Sequence, residues 1–290
     1  MTAGFIIYVM AEGPTPADFG HKVIFLNPDF PGHGDVFKDL RENEYEFYLL
    51  ENYRDAKSVL REYKSSICII YADDGTTKRK MINFILSCSK DDSVNSTLFY
   101  LLTSELVSKE KKALEQAQNC YHGMIALNSR TPFMIQAIKQ QLEDKNAKGR
   151  RQYVRVSCSA DREAIALAEI NGRLFKFKMH DISIVGSACS VEAKVASVFP
   201  KGTVIPSVNF TLGGKQIPVG EVAVYAVFPM NNEAKLVLLF KNPLIGERKE
   251  LVHNYIREKF DSDINTIIKS RPRDEEDYSK AFAEGESDAQ

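Results

Sequence analysis

The chain has 290 residues, 44% of them apolar and 27% charged, with a formal net charge of −1. That length accommodates two domains that each bury a core, and the composition is that of a globular protein. Near-neutral charge argues against bulk electrostatic binding of nucleic acid and leaves anion recognition to local clusters.

The five cysteines, Cys68, Cys88, Cys120, Cys158 and Cys189, are odd in number, widely spaced and without a C-x-x-C pair. This points to a reducing cytoplasm and away from a disulfide framework or a zinc knuckle. The five histidines show no metal-ligand spacing. The apolar run "GFIIYVM" near the N-terminus is too short to span a bilayer and lacks the basic start and cleavage site of a signal peptide. It reads as a buried strand.

From about residue 20 to 142, strand-like runs alternate with helical patterns. "KVIFLNPDF" is a strand ended by Asn-Pro, and "DVFKDLREN" carries Val36, Phe37 and Leu40 at helical spacing. "YEFYLLE", "SSICIIYADDG", "STLFYLLTS" and "HGMIALN" read as further strands. Between and after them, "YRDAKSVLREY", "KMINFILSCS", "KEKKALEQAQN" and "TPFMIQAIKQQLE" read as helices. Repeated βα units of this length predict a parallel sheet covered by helices on both faces, an α/β domain over residues 1–142.

The polar segment 143–149, "EDKNAKG", reads as a linker. Beyond it the helical period gives way to strands: "QYVRVSCS", "AIALAEI", "RLFKFKMHDIS", "GSACSVEA", "TVIPSVNFTL", "PVGEVAVYAVF" and "AKLVLLFKN". In the third, Phe175, Phe177 and Met179 alternate with Lys176, Lys178 and His180. Turn-prone "NGR", "PKG", "GGK" and "MNNE" separate the runs, which predicts a small antiparallel barrel or sandwich. An amphipathic helix over "GERKELVHNYIREKF", with Leu251, Tyr255 and Ile256 inward, closes this all-β domain at 150–270. The acidic segment 271–290 reads as a disordered tail.

The stretch "KNAKGRRQYVRVSCS" concentrates Lys145, Lys148, Arg150, Arg151 and Arg155 with no acid between them. By itself it is readable as a solvated linker. About thirty residues after Arg151 stand Asp181, Ser183 and Gly186, in the spacing D-x-S-x-x-G. Asp181 and Ser183 are two apart and share a strand face, and Gly186 opens room for a close backbone approach. By itself that second cluster is readable as turn chemistry. Together the two suit a guanine nucleotide: an arginine fork donates to guanine O6 and N7, a carboxylate accepts from the N1/N2 edge, and further guanidinium groups grip phosphate.

R-x-x-x-R at Arg151 and Arg155, followed by D-x-S-x-x-G at Asp181, Ser183 and Gly186, resembles the PilZ domain, over roughly 149–260. The resemblance implies a six-stranded antiparallel PilZ β-barrel with a closing helix. It also implies that Arg150, Arg151, Arg155, Asp181, Ser183 and Gly186 bind cyclic di-GMP. In that family an arginine directly before R-x-x-x-R, the place of Arg150, is associated with an intercalated pair of ligands. Outputs implied by the family are motility, adhesion or virulence in a bacterium.

The N-terminal domain resembles a response-regulator receiver, with Thr103 at the hydroxyl position. Asp29 alone fits the acidic pair, Tyr71 aligns with the phosphoacceptor position, and Asn128 stands at the lysine position. Asp73 or Asp74 could accept a phosphoryl group only with the third strand shifted. The expectation is therefore a pseudo-receiver that binds a protein partner.

The whole reads as a cytoplasmic, non-enzymatic cyclic di-GMP effector without metal, cofactor or membrane span, in which an extended basic linker becomes ordered on ligand binding. The alternatives are a ligand-independent adaptor and, disfavoured by charge and by the absence of a helix-turn-helix pattern, a nucleic-acid-binding regulator.

Overall fold

The computed structural model describes residues 20–127 and 130–279. The reading of "GFIIYVM" as a strand and the alignment of Asn128 fall outside these residues. The described chain forms two compact units: an α/β unit of residues up to 152 together with those from 266 onward, and a β unit of 153–265.

In the α/β unit, β1 (Val23–Leu26), β2 (Phe47–Leu50), β3 (Ile67–Tyr71), β4 (Leu98–Thr103) and β5 (Tyr121–Ala126) form a parallel sheet of order β2-β1-β3-β4-β5. The helices are α1 (His33–Glu42), α2 (Tyr53–Glu62), α3 (Gly75–Ser89), α4 (Ser108–Leu114) and α5 (Thr131–Asp144). Every residue of β1 is buried, as expected of a strand covered on both faces. Phe25, Phe30 and Phe37 cluster at centroid separations of 5.0–6.3 Å, Phe37 meeting both of the others edge-on, and Met134, Ile138 and Leu142 of α5 complete that core. Asn52 caps α2 and Asp74 caps α3 through their side-chain oxygens, each cap worth about 1 kcal/mol.

The supposed linker is not extended. Residues up to Asp144 continue α5, and the next few fold back as a turn in which Ala147 is buried and its carbonyl accepts from the His21 amide at 2.8 Å. Lys148 Nζ lies 4.4 Å from the Tyr45 ring centroid. A cation packed on an aromatic face has an alternative to mutual repulsion, so the basic run does not unravel.

The acidic tail is also corrected, over its described part. Residues 271–279 lie on α2 and α3 of the α/β unit, with Tyr278 only 2% exposed. Its composition lacks aliphatics, but ion pairs and one aromatic anchor hold it.

The β unit contains β6 (Val156–Ser157), β7 (Ile165–Ile170), β8 (Arg173–Ser183), β9 (Gly186–Glu192), β10 (Val204–Leu212), β11 (Lys215–Pro229) and β12 (Glu233–Phe240). The antiparallel pairings β8–β7–β10–β11–β12–β9–β8 close a six-stranded barrel, and β6 adds to the end of β8. Asn171-Gly172 and Gly213-Gly214 turn the β7–β8 and β10–β11 hairpins with positive φ at both residues, the geometry that matches strand twist. Phe177, Met179, Ile182, Phe210 and Leu238 fill the interior. A short helix α6 (Ala193–Ala196) precedes Phe199, whose ring meets Phe175 and Phe177 edge-on at 5.1 Å. The final helix α7 (Glu247–Ser270) is longer than expected; Val252, Tyr255, Ile256, Phe260 and Ile264 are its buried stripe, while Leu251 is only half-buried.

One irregularity in β8 positions the site. Met179 pairs with Cys189 but Asp181 pairs with Ala188, so His180 is an extra residue, a β-bulge. Strict alternation would place Asp181 and Ser183 on the side of Phe177 and Met179, inside the barrel. The bulge reverses the parity: Ile182 is fully buried, while Asp181 pairs with the exposed Ser157.

Gly186 begins β9 where it is hydrogen-bonded to both β8 and β12. A Cβ there would lie 2.3 Å from the Leu238 carbonyl oxygen, a backbone atom that cannot swing aside. Gly186→Ala is therefore expected to destabilise the barrel by about 1–3 kcal/mol whatever the ligand does. Thermal unfolding of the variant checks this, and an unchanged midpoint would show that β9 and β12 separate freely.

Candidate functional site

The turn between β8 and β9 builds the site from its own hydrogen bonds. Ser183 Oγ donates to the Gly186 carbonyl at 3.1 Å and is 1% exposed. This tie closes the turn and pins the first residue of β9. One carboxylate oxygen of Asp181 accepts from the Ala188 amide at 3.1 Å, which fixes the side chain against β9 and leaves its remaining acceptor capacity free for another donor. Asp181 is half-buried, as is Arg155 just before β6.

Arg155, Asp181, Ser183 and Gly186 line one recess, with Val185, Ser187 and Ala188 on one side and Val237, Leu238 and Leu239 of β12 on the other. The open space is about 240 Å³, a shallow seat that a ligand would cover rather than enter. Four of the six residues singled out in the sequence thus come together. Arg150 and Arg151 are exposed on the turn after α5 and belong to the other compact unit. The β12 contribution was not foreseen, because nothing in the sequence of β9 says which strand it will pair with on its far side.

The bulge residue adds a second electrostatic feature. His180 has its Nε2 buried without a hydrogen-bond partner in the described structure. Burial, reinforced by the nearby Lys235 and Lys178, lowers its pKa, against smaller opposing effects of Glu233 and Asp181. In the register of β12, β9 and β8, Lys235, Ser190 and Lys178 stand in one row. The outer face beside Asp181 therefore carries Lys178 and Lys235 close to His180, with Glu233 nearby. A carboxylate that accepts, an arginine that donates in a fork and this cationic flank are the elements for gripping a base edge and a phosphate together.

The α/β unit has its own candidate position. In a sheet of this order, ligands bind beyond the carboxyl ends of the strands where the order reverses, between β1 and β3. There Asn27 Nδ2 donates to the Tyr71 carbonyl at 3.3 Å. Asp73 Oδ1 accepts from the Ser104 amide at 2.7 Å, the Ser104 hydroxyl at 2.6 Å and the buried Thr103 hydroxyl at 3.2 Å. These bonds, those from Ser104 foremost, hold the Asp73 carboxyl below its usual range. Asp74 is occupied as the α3 cap, and Asp29 faces His33 at 3.7 Å with its side chain almost fully exposed. Among the described residues no three histidine, cysteine or acidic side chains gather as a metal cluster, and no helix is long and apolar enough to cross a membrane.

No protein-family model matches the chain, and no curated protein matches it in sequence. Solved structures do resemble it. The PilZ domain of YcgR from Escherichia coli with c-di-GMP is 12% identical at a TM-score of 0.36, over 42% of this chain and 99% of that one. The Bacillus subtilis inhibitor of motility (MotI/DgrA) is 23% identical at 0.31, over 38% of this chain and 51% of that one. The K. pneumonia MrkH–c-di-GMP complex is 16% identical at 0.33, over 42% of this chain and 56% of that one. The chain thus spans about half the length of the latter two. Likeness at this level does not carry the function of those proteins over to this one.

Proposed function

We propose that this protein is a non-enzymatic, cytoplasmic effector of bacterial cyclic di-GMP signalling. Arg155, Asp181, Ser183 and Gly186 form the seat for the nucleotide, and Arg150 and Arg151 form the rest of the clamp. The observation that supports this best is that Arg155 of the first motif lines the same recess as Asp181, Ser183 and Gly186 of the second, although a whole hairpin separates them. Asp181 takes the donor edge of guanine, Arg155 its O6 and N7 or a phosphate, and the Gly186 backbone edge lets the ligand lie close. Binding then changes how the α/β unit meets a protein partner, with motility, adhesion or virulence as the output. Residues 145–149 are already folded onto the α/β unit, so ordering of an extended linker is not the device; any coupling must act through the residues that follow.

A second reading has one observation in its favour. Ser183 and Gly186 have complete structural reasons of their own, a turn closure and a close approach to β12, and a barrel that had become a ligand-independent adaptor would keep both. Titration calorimetry with cyclic di-GMP separates the two readings. Saturable binding at micromolar ligand is expected, and an absence of heat and saturation would leave the adaptor. Arg151→Ala and Arg155→Ala should each weaken binding at least tenfold, since losing a charge-assisted hydrogen bond costs about 1.5–3 kcal/mol. Asp181→Asn keeps an acceptor for the Ala188 amide but removes the charge offered to guanine. It should lower affinity while the unfolding midpoint stays put.

Arg150 supplies one more cation and one more plane for stacking on guanine. The expected endpoint is two ligands per chain, moving toward one in Arg150→Leu; a wild-type endpoint of one would refute the paired-ligand reading.

The α/β unit is a pseudo-receiver in this reading. Tyr71 ends β3 where an acceptor carboxylate would be needed, and Asp73 is engaged by Ser104 and Thr103. Incubation with acetyl phosphate and Mg²⁺ should leave the intact mass unchanged. A gain of one phosphate that Asp73→Asn abolishes would make this unit a working receiver.

A further inference from the structure

Beyond α7, residues 271–279 run across α2 and α3 in an order of charges matched by the surface beneath. Arg271 Nη2 meets Glu62 Oε2 at 2.5 Å, and Arg273 Nε meets Asp55 Oδ1 at 2.9 Å. The acids that follow meet a cation: Lys57 Nζ lies 3.4 Å from Asp274 Oδ2 and 3.0 Å from Glu276 Oε2. Ser87 Oγ donates to the same Glu276 oxygen at 2.7 Å.

The backbone of the segment is held at three points as well. Its Asp274 amide donates to the Arg54 carbonyl at 2.9 Å, and its Pro272 and Tyr278 carbonyls accept from Ser58 Oγ at 3.2 Å and Asn83 Nδ2 at 2.8 Å. Tyr278 is the anchor. Its ring meets Phe84 and Tyr53 edge-on at 5.6 and 5.7 Å, and Lys57 Nζ stands 5.4 Å from its centroid.

This is the anatomy of a recognised peptide rather than of a core element. The segment has no secondary structure, is fixed by backbone contacts from side chains, reads charge in a defined order and buries one aromatic. Lys57 and Asp55 are 7% and 6% exposed. With the segment in place these charges meet their counter-ions out of bulk water; without it each loses its counter-ion, which a ligand of the same pattern would restore. We propose that the α2–α3 face is a peptide-docking site for a segment ordered basic, acidic, tyrosine, and that residues 271–279 are its resident ligand in cis. This does not depend on the nucleotide reading of the barrel.

A labelled peptide of residues 271–279 is titrated into the full chain carrying Tyr278→Ala, which frees the aromatic pocket. It should bind that chain at least tenfold more tightly than wild type, where the pocket is filled. Adding Asp55→Arg to the receiving chain should weaken the peptide at least tenfold, and a peptide with Arg273→Asp should recover the loss. Equal weak binding to wild type and Tyr278→Ala, or indifference to Asp55→Arg, overturns the proposal. Amide exchange on the wild-type chain decides the matter should Tyr278→Ala fail to fold. The Asp274 amide should exchange at least a hundredfold faster than the Tyr63 amide that ends α2. Exchange of both at one rate would make the segment part of the core and end the idea of a docking site.

Discussion

The candidate nucleotide seat depends on one inserted residue. β8 must serve the barrel interior along its first half and present polar groups outward near its end, yet a regular strand cannot change sides. The bulge at His180 makes the change. It lets Phe177 and Met179 point in, then sends Asp181 out while Ile182 fills the interior. Without it Asp181 would be a carboxylate inside an apolar barrel, a placement that costs several kcal/mol unless paired. The same register brings the Ala188 amide opposite Asp181, Ser183 opposite Gly186, and Gly186 against the Leu238 carbonyl. Recess and barrel closure are therefore one construction, and the residues that would hold a ligand are also those that hold the strand ends together.

The α/β unit treats its own expected site in the opposite way. At the switch point of its sheet, the groups that could bind something are spent on one another: Asp73 on Ser104 and Thr103, Asp74 on the α3 N-terminus, Asn27 on Tyr71. These bonds fix the strand ends and hold one carboxylate oxygen each of Asp73 and Asp74 in place. The unit's unusual chemistry is instead on its flank, where a buried lysine is surrounded by acids that arrive from far along the chain.

Much of this was legible in the residues. Period-two and period-3.6 patterns, the Asn-Gly and Gly-Gly turns and the clustering of Asp181, Ser183 and Gly186 are local properties, and local geometry follows from them. The α/β and all-β halves were legible for that reason. Three features were not. The basic run at 145–149 reads as flexible because charge repels, yet Lys148 finds the Tyr45 ring and Ala147 finds a buried place. The segment 271–279 reads as disordered because it lacks aliphatics, yet its partners lie some 200 residues earlier, with Lys57 and Glu276 separated by 219 positions. The bulge is silent because an extra residue in a strand has no composition of its own.

The sequence by itself determined which segments become strands and helices, where the hairpins turn, and which residue types are available to grip an anion, since each is set by neighbours within a few positions. Only the tertiary structure decided which way Asp181 faces, that Gly186 is required by β12 as much as by any ligand, and that residues 271–279 are bound. Those outcomes rest on strand register and on pairings between distant charges. Both are fixed by the energy of the closed barrel and the packed sheet as wholes, not by any stretch of chain alone.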